Sequence, residues 1–190
     1  MICLGLDLSS HAGWATCAGD GTRPASGVWE LPWTNEIRNI GGMLHRLDTA
    51  MTKVIKAREV KMCAIEEPFQ SYGAKSAKIQ LMLWNLVGTA QMVCHRENVD
   101  YVIVQPQRWR TLFIGSGNKG TDEAKEAAVE RCRELDWPAQ DHNAAEACGI
   151  WAWLKAGVEV GWQAKVLSDR PLVYPTGSTK FWRSRQRLGD

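Results

Sequence analysis

Two short, apolar, β-prone runs, residues 60–65 and 99–106, stand on either side of a stretch, residues 74–97, whose apolar positions recur with a helical period. Strands joined by a helical crossover of that length pair in parallel, and a parallel pair needs helices to cover it. The same pattern extends upstream. From residue 35 to 58, Ile37, Ile40, Leu44, Leu47, Met51, Val54 and Ile55 fall on one helical face, with the Gly41-Gly42 pair weakening the first turns. Residues 1–31 read differently: ICLGLDLS, GWATCA and ASGVWEL, separated by Ser/His/Gly and Gly-Asp-Gly clusters, predict an antiparallel three-strand meander. Beyond residue 106, RWRTLFIGSGNKG reads as a glycine-rich basic loop. Residues 121–135 read as a charged amphipathic helix capped by Thr121, and a last helix runs from about Asn143 to Lys155. The order βββαβαβαα predicts an α/β protein with a five-stranded mixed sheet and helices on both faces.

A chain of 190 residues suits one core. Hydrophobic residues at 45% and charged residues at 23% exclude a disordered chain. No apolar run approaches the roughly 18 residues that span a bilayer. The opening MICLGLDLSS is apolar at once and carries Asp7, so it reads as a strand rather than a leader, and a cytoplasmic protein is expected. Six scattered cysteines, Cys3, Cys17, Cys63, Cys94, Cys132 and Cys148, form no C-x-x-C pair and read as reduced core residues rather than zinc ligands. Trp84, Trp151 and Trp153 sit in helical patterns and read as packing or a subunit contact. A compact domain over 1–156 with a basic extension over 157–190 is expected. Residues 161–190 carry six Lys/Arg against Asp169 and Asp190, a charge bias suited either to phosphate contact or to a solvated end.

Three acidic positions are awkward where they stand. Asp7 is the one acid in a strand of Ile, Leu and Gly, and an acid facing a core needs a partner or a metal, unless it ends the strand and caps the Ser9-Ser10 turn. Glu66 follows Met62-Cys63-Ala64-Ile65 at a strand's end; Glu67 is its rival, but strand neighbours face opposite sides, so one alone can point at a site. The third cluster, Asp141-His142-Asn143-Ala144-Ala145-Glu146, opens an apolar helix. There His142 and Asn143 share Glu146's face and Asp141 is turned aside. Asn143-x-x-Glu146 also has the spacing of a capping box. Strand, strand end and helix start can together surround two divalent cations about 3.5–4 Å apart, and carboxylates favour Mg²⁺ or Mn²⁺ over zinc.

With these residues in place the sequence resembles the RuvC family of Holliday junction resolvases, especially its phage-encoded members. The likeness covers most of residues 1–155. It rests on Leu4-Gly5-Leu6-Asp7-x5-Gly13-Trp14, on Ala64-Ile65-Glu66 with Phe69 three residues on, and on Asn143-Ala144-Ala145-Glu146. The resemblance implies an RNase H-like fold, a homodimer acting on branched DNA, and metal ligands at Asp7, Glu66, Asn143 and Glu146. It implies a role for Phe69 at the crossover, stacking on an exposed base, and for Arg110, Lys119 and Lys125 on the DNA backbone. Two positions depart from the family: Glu146 stands where Asp is usual, and the uncharged Asn143 where Asp or His is usual. Asp141 and His142 are therefore alternatives for the fourth site residue, His142 as ligand or base.

The expected function is a Mg²⁺-dependent endonuclease, with Mn²⁺ as a substitute, hydrolysing phosphodiesters of four-way junctions or other branched DNA and leaving 5′ phosphates. Lys180, Arg183 and Arg185 in the basic extension are expected to touch DNA as well. Rival readings are an RNase H or packaging nuclease with another substrate, and a catalytically silent DNA-binding module. An actin-like phosphotransferase would need a second such domain, for which the chain has no room.

Overall fold

The structure, a computed structural model, describes residues 1–17, 21, 23–31, 40–68 and 74–159, without the side chains of 74–76. All of these lie in the unit Met1–Val160. Its elements are β1 (Cys3–Asp7), β2 (His11–Cys17), β3 (Pro24–Glu30), α1 (Ile40–Arg58), β4 (Met62–Glu66), α2 (Ala74–Arg96), β5 (Asp100–Val104), α3 (Pro106–Phe113), α4 (Thr121–Glu134) and α5 (His142–Glu159). The five strands form one sheet in the order β3-β2-β1-β4-β5. Short turns make β1, β2 and β3 antiparallel, while the crossovers α1 and α2 bring β4 beside β1 and β5 beside β4 in parallel. The expected mixed sheet is present.

Strand alternation then divides the core between the two faces. Leu4, Leu6, Ala12, Cys63 and Ile65 point towards α1 and α2, where Met43, Leu47, Met51, Ile55, Leu86, Val87 and Val93 bury the opposite wall. On the other face α5 packs across β1, β2 and β3, and α3 and α4 pack on α5. This helix lies very close to the sheet. A Cβ on Gly5 would stand 2.5 Å from the Trp151 backbone nitrogen, and one on Gly13 would collide with the Asn143 carbonyl oxygen. Glycine at these two positions lets the start and middle of α5 rest on the strands themselves.

Several sequence expectations change here. The expected basic loop after β5 begins as a helix, α3, so the order is βββαβαβααα. Pro106 stands at its first turn, where the missing N–H costs nothing. Trp109 and Phe113, four residues apart, bury one face of α3, and eight residues are too few for the period to show. Thr121 does not cap α4. The N-cap is Gly120, and no side chain bonds the helix start. Helix α5 runs four residues past Lys155 and is buried almost all round from Ala144 to Trp151, so amphipathic spacing could not mark its end. Helix α1 begins at Ile40 among the described residues; the portion expected over 35–39 lies outside them.

All six cysteines are free, and all but Cys17 are buried. Trp151 and Trp153 are core residues, and Trp84 packs half-buried against the α1/α2 core. Among the described residues no helix is long and apolar enough to cross a membrane.

Candidate active site

Asp7 ends β1 on the face of Gly5, and Glu66 ends β4 on the face of Ala64; both faces look at α5. The parallel register, with Leu6 opposite Ile65, sets the two acids side by side at the carboxyl ends of adjacent strands. There the Glu66 carboxyl acts on Asp7 by charge and hydrogen bonding and raises it. Glu67 lies past the strand end, its backbone N–H donating to the Val104 carbonyl at 2.8 Å, so it is Glu66 that stands beside Asp7. Glu146 reaches the same place from α5. It is 4% exposed, the one buried acid among the described residues, and stands in the apolar run of that helix.

The three carboxyls shift one another. Burial, then the neighbouring Glu66, holds Asp7 well above the usual carboxylate range. Burial and Glu146 raise Glu66 to about 7, against the opposing pull of the Trp109 N–H and Arg110. Burial and Asp7 raise Glu146 to about 7, opposed by Arg110 and Lys125. Carboxyls brought together this closely cannot all ionise without a cation to offset them.

Helix α3 supplies two of the offsetting groups from adjacent residues. Trp109, fully buried, donates its indole N–H to Glu66 Oε1 at 3.3 Å. Arg110 donates to Glu146 Oε1 at 3.3 Å, its guanidinium carbon 5.4 Å from the centre of the Trp109 ring, and its Nε is buried with no partner among the described residues. The Trp109 ring leaves no room for a side chain at position 149 of α5: a Cβ there would lie 2.6 Å from it. Trp109 is the residue that sequence reasoning missed. Its only signal was an aromatic flanked by two arginines just after a strand, and the loop assignment hid it.

The helix start resolves differently from expectation. Asp141 Oδ1 accepts the Ala144 backbone N–H at 2.9 Å and so caps α5 from just outside it. The expected capping box Asn143-x-x-Glu146 is therefore not formed. Asn143 lies inside the helix, and its side-chain NH₂ donates to Asp141 Oδ2 at 3.2 Å. Half-buried His142 makes no hydrogen bond or ion pair among the described residues. Lys125 on α4 acts on both Asp7 and Glu146 through its charge. Lys119 instead pairs with Glu123 on the first turn of α4. Phe69 and the tail residues Lys180, Arg183 and Arg185 lie outside the described residues. Among the described residues no group of three or more His, Cys, Asp and Glu side chains is set to hold a metal ion as it stands.

Neither a family model nor a curated protein matches the sequence. Solved structures do. Thermus thermophilus RuvC superposes with a TM-score of 0.67 at 16% identity, covering 85% of this chain and 97% of that one. The fold is that of RuvC. T. thermophilus RuvC in complex with Holliday junction substrate matches over the same shares, with a TM-score of 0.67 at 15% identity. The yeast mitochondrial Holliday junction resolvase Ydc2 matches with a TM-score of 0.52 at 10% identity, over 87% of this chain and 85% of that one. At such identities what the chain shares with RuvC is the architecture.

Proposed function

We propose that this chain is a Mg²⁺-dependent, structure-selective endodeoxyribonuclease that cleaves Holliday junctions or other branched DNA. The observation that carries the reading is the meeting of Asp7, Glu66 and Glu146, three carboxyls from β1, β4 and α5, at the strand ends of a RuvC fold. Their excess negative charge and oxygen-only chemistry fit a hard dication, Mg²⁺ or Mn²⁺. Asp7, Glu66 and Glu146 would hold the cations, with Asn143 as the fourth site residue. When bound, they supply an activated water and neutralise charge at the scissile phosphate and its leaving 3′ oxygen.

The chain's own residues do the rest. Trp109 favours the ionised form of Glu66 against the burial that raises it, because a donor to a carboxylate favours the charge. Arg110 balances Glu146 in the metal-free protein, and with Lys125 it puts positive charge beside the acids, where a phosphate must approach. Lys119 serves the DNA backbone from the α3–α4 loop, Phe69 stacks on an opened base, and Lys180, Arg183 and Arg185 add phosphate contacts. A junction offers two equivalent strands, which suits a homodimer. Helix α2 offers Leu81 and Met92 for it, exposed by 65% and 51% on one face of the helix.

Labelled four-way junction, fork and linear duplex, each with and without Mg²⁺, test the reading. Paired nicks in the junction, dependent on Mg²⁺ and leaving 5′ phosphates, are expected. Equal cutting of linear duplex would point instead to a packaging-type nuclease, and binding without any cleavage to a silent DNA-binding module.

A further inference from the structure

The uncharged Asn143 stands on the same helical face as Glu146, one turn earlier, and its backbone carbonyl rests on Gly13, which pairs with Asp7 across β1 and β2. Its backbone thus lies against the residue of β2 that pairs with Asp7, and on the metal-binding reading above it is the fourth site residue. An amide in that position has two ends of opposite character: Oδ1 can bind a cation, whereas the NH₂ would donate to the surrounding carboxylates and occupy them. Left free to rotate, it would turn its NH₂ to the acids whenever no cation is present.

The structure does not leave it free. Asp141 Oδ1 is taken by the Ala144 N–H at 2.9 Å, and its Oδ2 receives the Asn143 NH₂ at 3.2 Å. An ionised carboxylate can only accept, so the end of Asn143 that faces it must be the NH₂. Asn143 Oδ1 accepts no hydrogen bond among the described residues.

We propose that Asp141 is a positioning residue that fixes the Asn143 amide through the Asp141 Oδ2 to Asn143 Nδ2 bond, leaving Oδ1 as the group offered to a cation. The inference rests on the metal-binding reading above. One carboxylate thus does two tasks, capping α5 and orienting the uncharged donor, and Asp141 itself stays off the metal.

Mn²⁺ binding to the full chain without DNA, followed by electron paramagnetic resonance or calorimetry, tests this with the variants Asp141→Asn, Asn143→Ala and the double variant. Asparagine caps a helix as well as aspartate does, so Asp141→Asn should keep the melting temperature while losing the acceptor that fixes the amide. Residues that hold a metal ligand in place by hydrogen bonding typically contribute 10- to 100-fold in affinity, so a loss of roughly that size is expected for Asp141→Asn. Asn143→Ala should lose as much, and the double variant no more than either single one. Unchanged Mn²⁺ affinity in Asp141→Asn overturns the proposal. So do losses that multiply in the double variant, since Asp141 would then be a ligand in its own right. If the wild-type chain binds no Mn²⁺, the functional reading itself fails in the first arm, before any variant is compared.

Discussion

Removing one charge from the acid cluster should make the metal-free protein more stable, and Glu66→Gln is the cleanest way to do it. The substituted amide keeps an oxygen for the Trp109 N–H, so no buried donor is orphaned. The Glu66 carboxyl is raised from 4.5 to about 7. A raised carboxyl means that the folded protein holds its proton more tightly than the unfolded chain does. The penalty is absent below about pH 4.5, where both states are protonated, grows as pH rises towards 7, and is complete above it. At 1.36 kcal/mol per pKa unit the ionised Glu66 costs the fold about 3 kcal/mol at pH 8. Residual solvent access at the strand end makes this an upper bound. For a protein of this size 1 kcal/mol moves the melting temperature by about 2–4 °C, so Glu66→Gln should melt up to about 10 °C higher than wild type at pH 8 in EDTA. At pH 4 the two should coincide. Millimolar Mg²⁺ should then raise the wild-type melting temperature at pH 8 and leave the variant nearly unmoved. Thermal melts by circular dichroism at the two pH values, with and without Mg²⁺, check all three statements. A variant less stable than wild type at pH 8 without metal would refute the argument, because Glu66 would then be a stabilising charge rather than a strained one.

Further outcomes follow from the same geometry. Asp7→Asn and Glu66→Gln should each abolish junction cleavage in a gel assay while junction affinity holds or tightens, since less negative charge faces the phosphates. Trp109→Phe keeps most of the buried ring but loses the donor to Glu66; a hydrogen bond to a charged group contributes about 1.5–3 kcal/mol, so half-saturating Mg²⁺ should rise by roughly tenfold or more in a metal titration of cleavage. Deleting residues 176–190 should lower the slope of log affinity against log salt by up to about 0.9 for each phosphate no longer neutralised, and an unchanged slope would mark those residues as a solvated end.

What the sequence made legible was whatever has a period or a local anomaly. The crossovers show because α1 and α2 each bury one stripe over more than three turns, and β4 and β5 because they are short apolar runs bounded by turns. Asp7 and Glu66 show because each is an acid where the pattern demands an apolar residue. Features set by tertiary contact were hidden. Helix α3 has two turns and is defined by Trp109 and Phe113 meeting Gly149, a position more than thirty residues away. The capping of α5 was ambiguous for a related reason. Asn143 has the spacing of a capping box, yet Asp141 takes the cap through the Ala144 N–H, and Asn143, its carbonyl resting on Gly13, lies inside the helix.

That arrangement bears on the charge balance of the site. Burial and then a neighbouring carboxyl raise Asp7, Glu66 and Glu146, with Arg110 pulling each of them down and Lys125 doing so for Asp7 and Glu146. On the proposed reading, a fourth ionised ligand at position 143 would add repulsion to the metal-free cluster. Asparagine gives an oxygen without the charge, but an oxygen paired with a donor that must be kept away from the acids. The cost of the neutral ligand is therefore a second residue to hold it, and Asp141, already fixed in place by the helix cap, needs no additional ordering to serve.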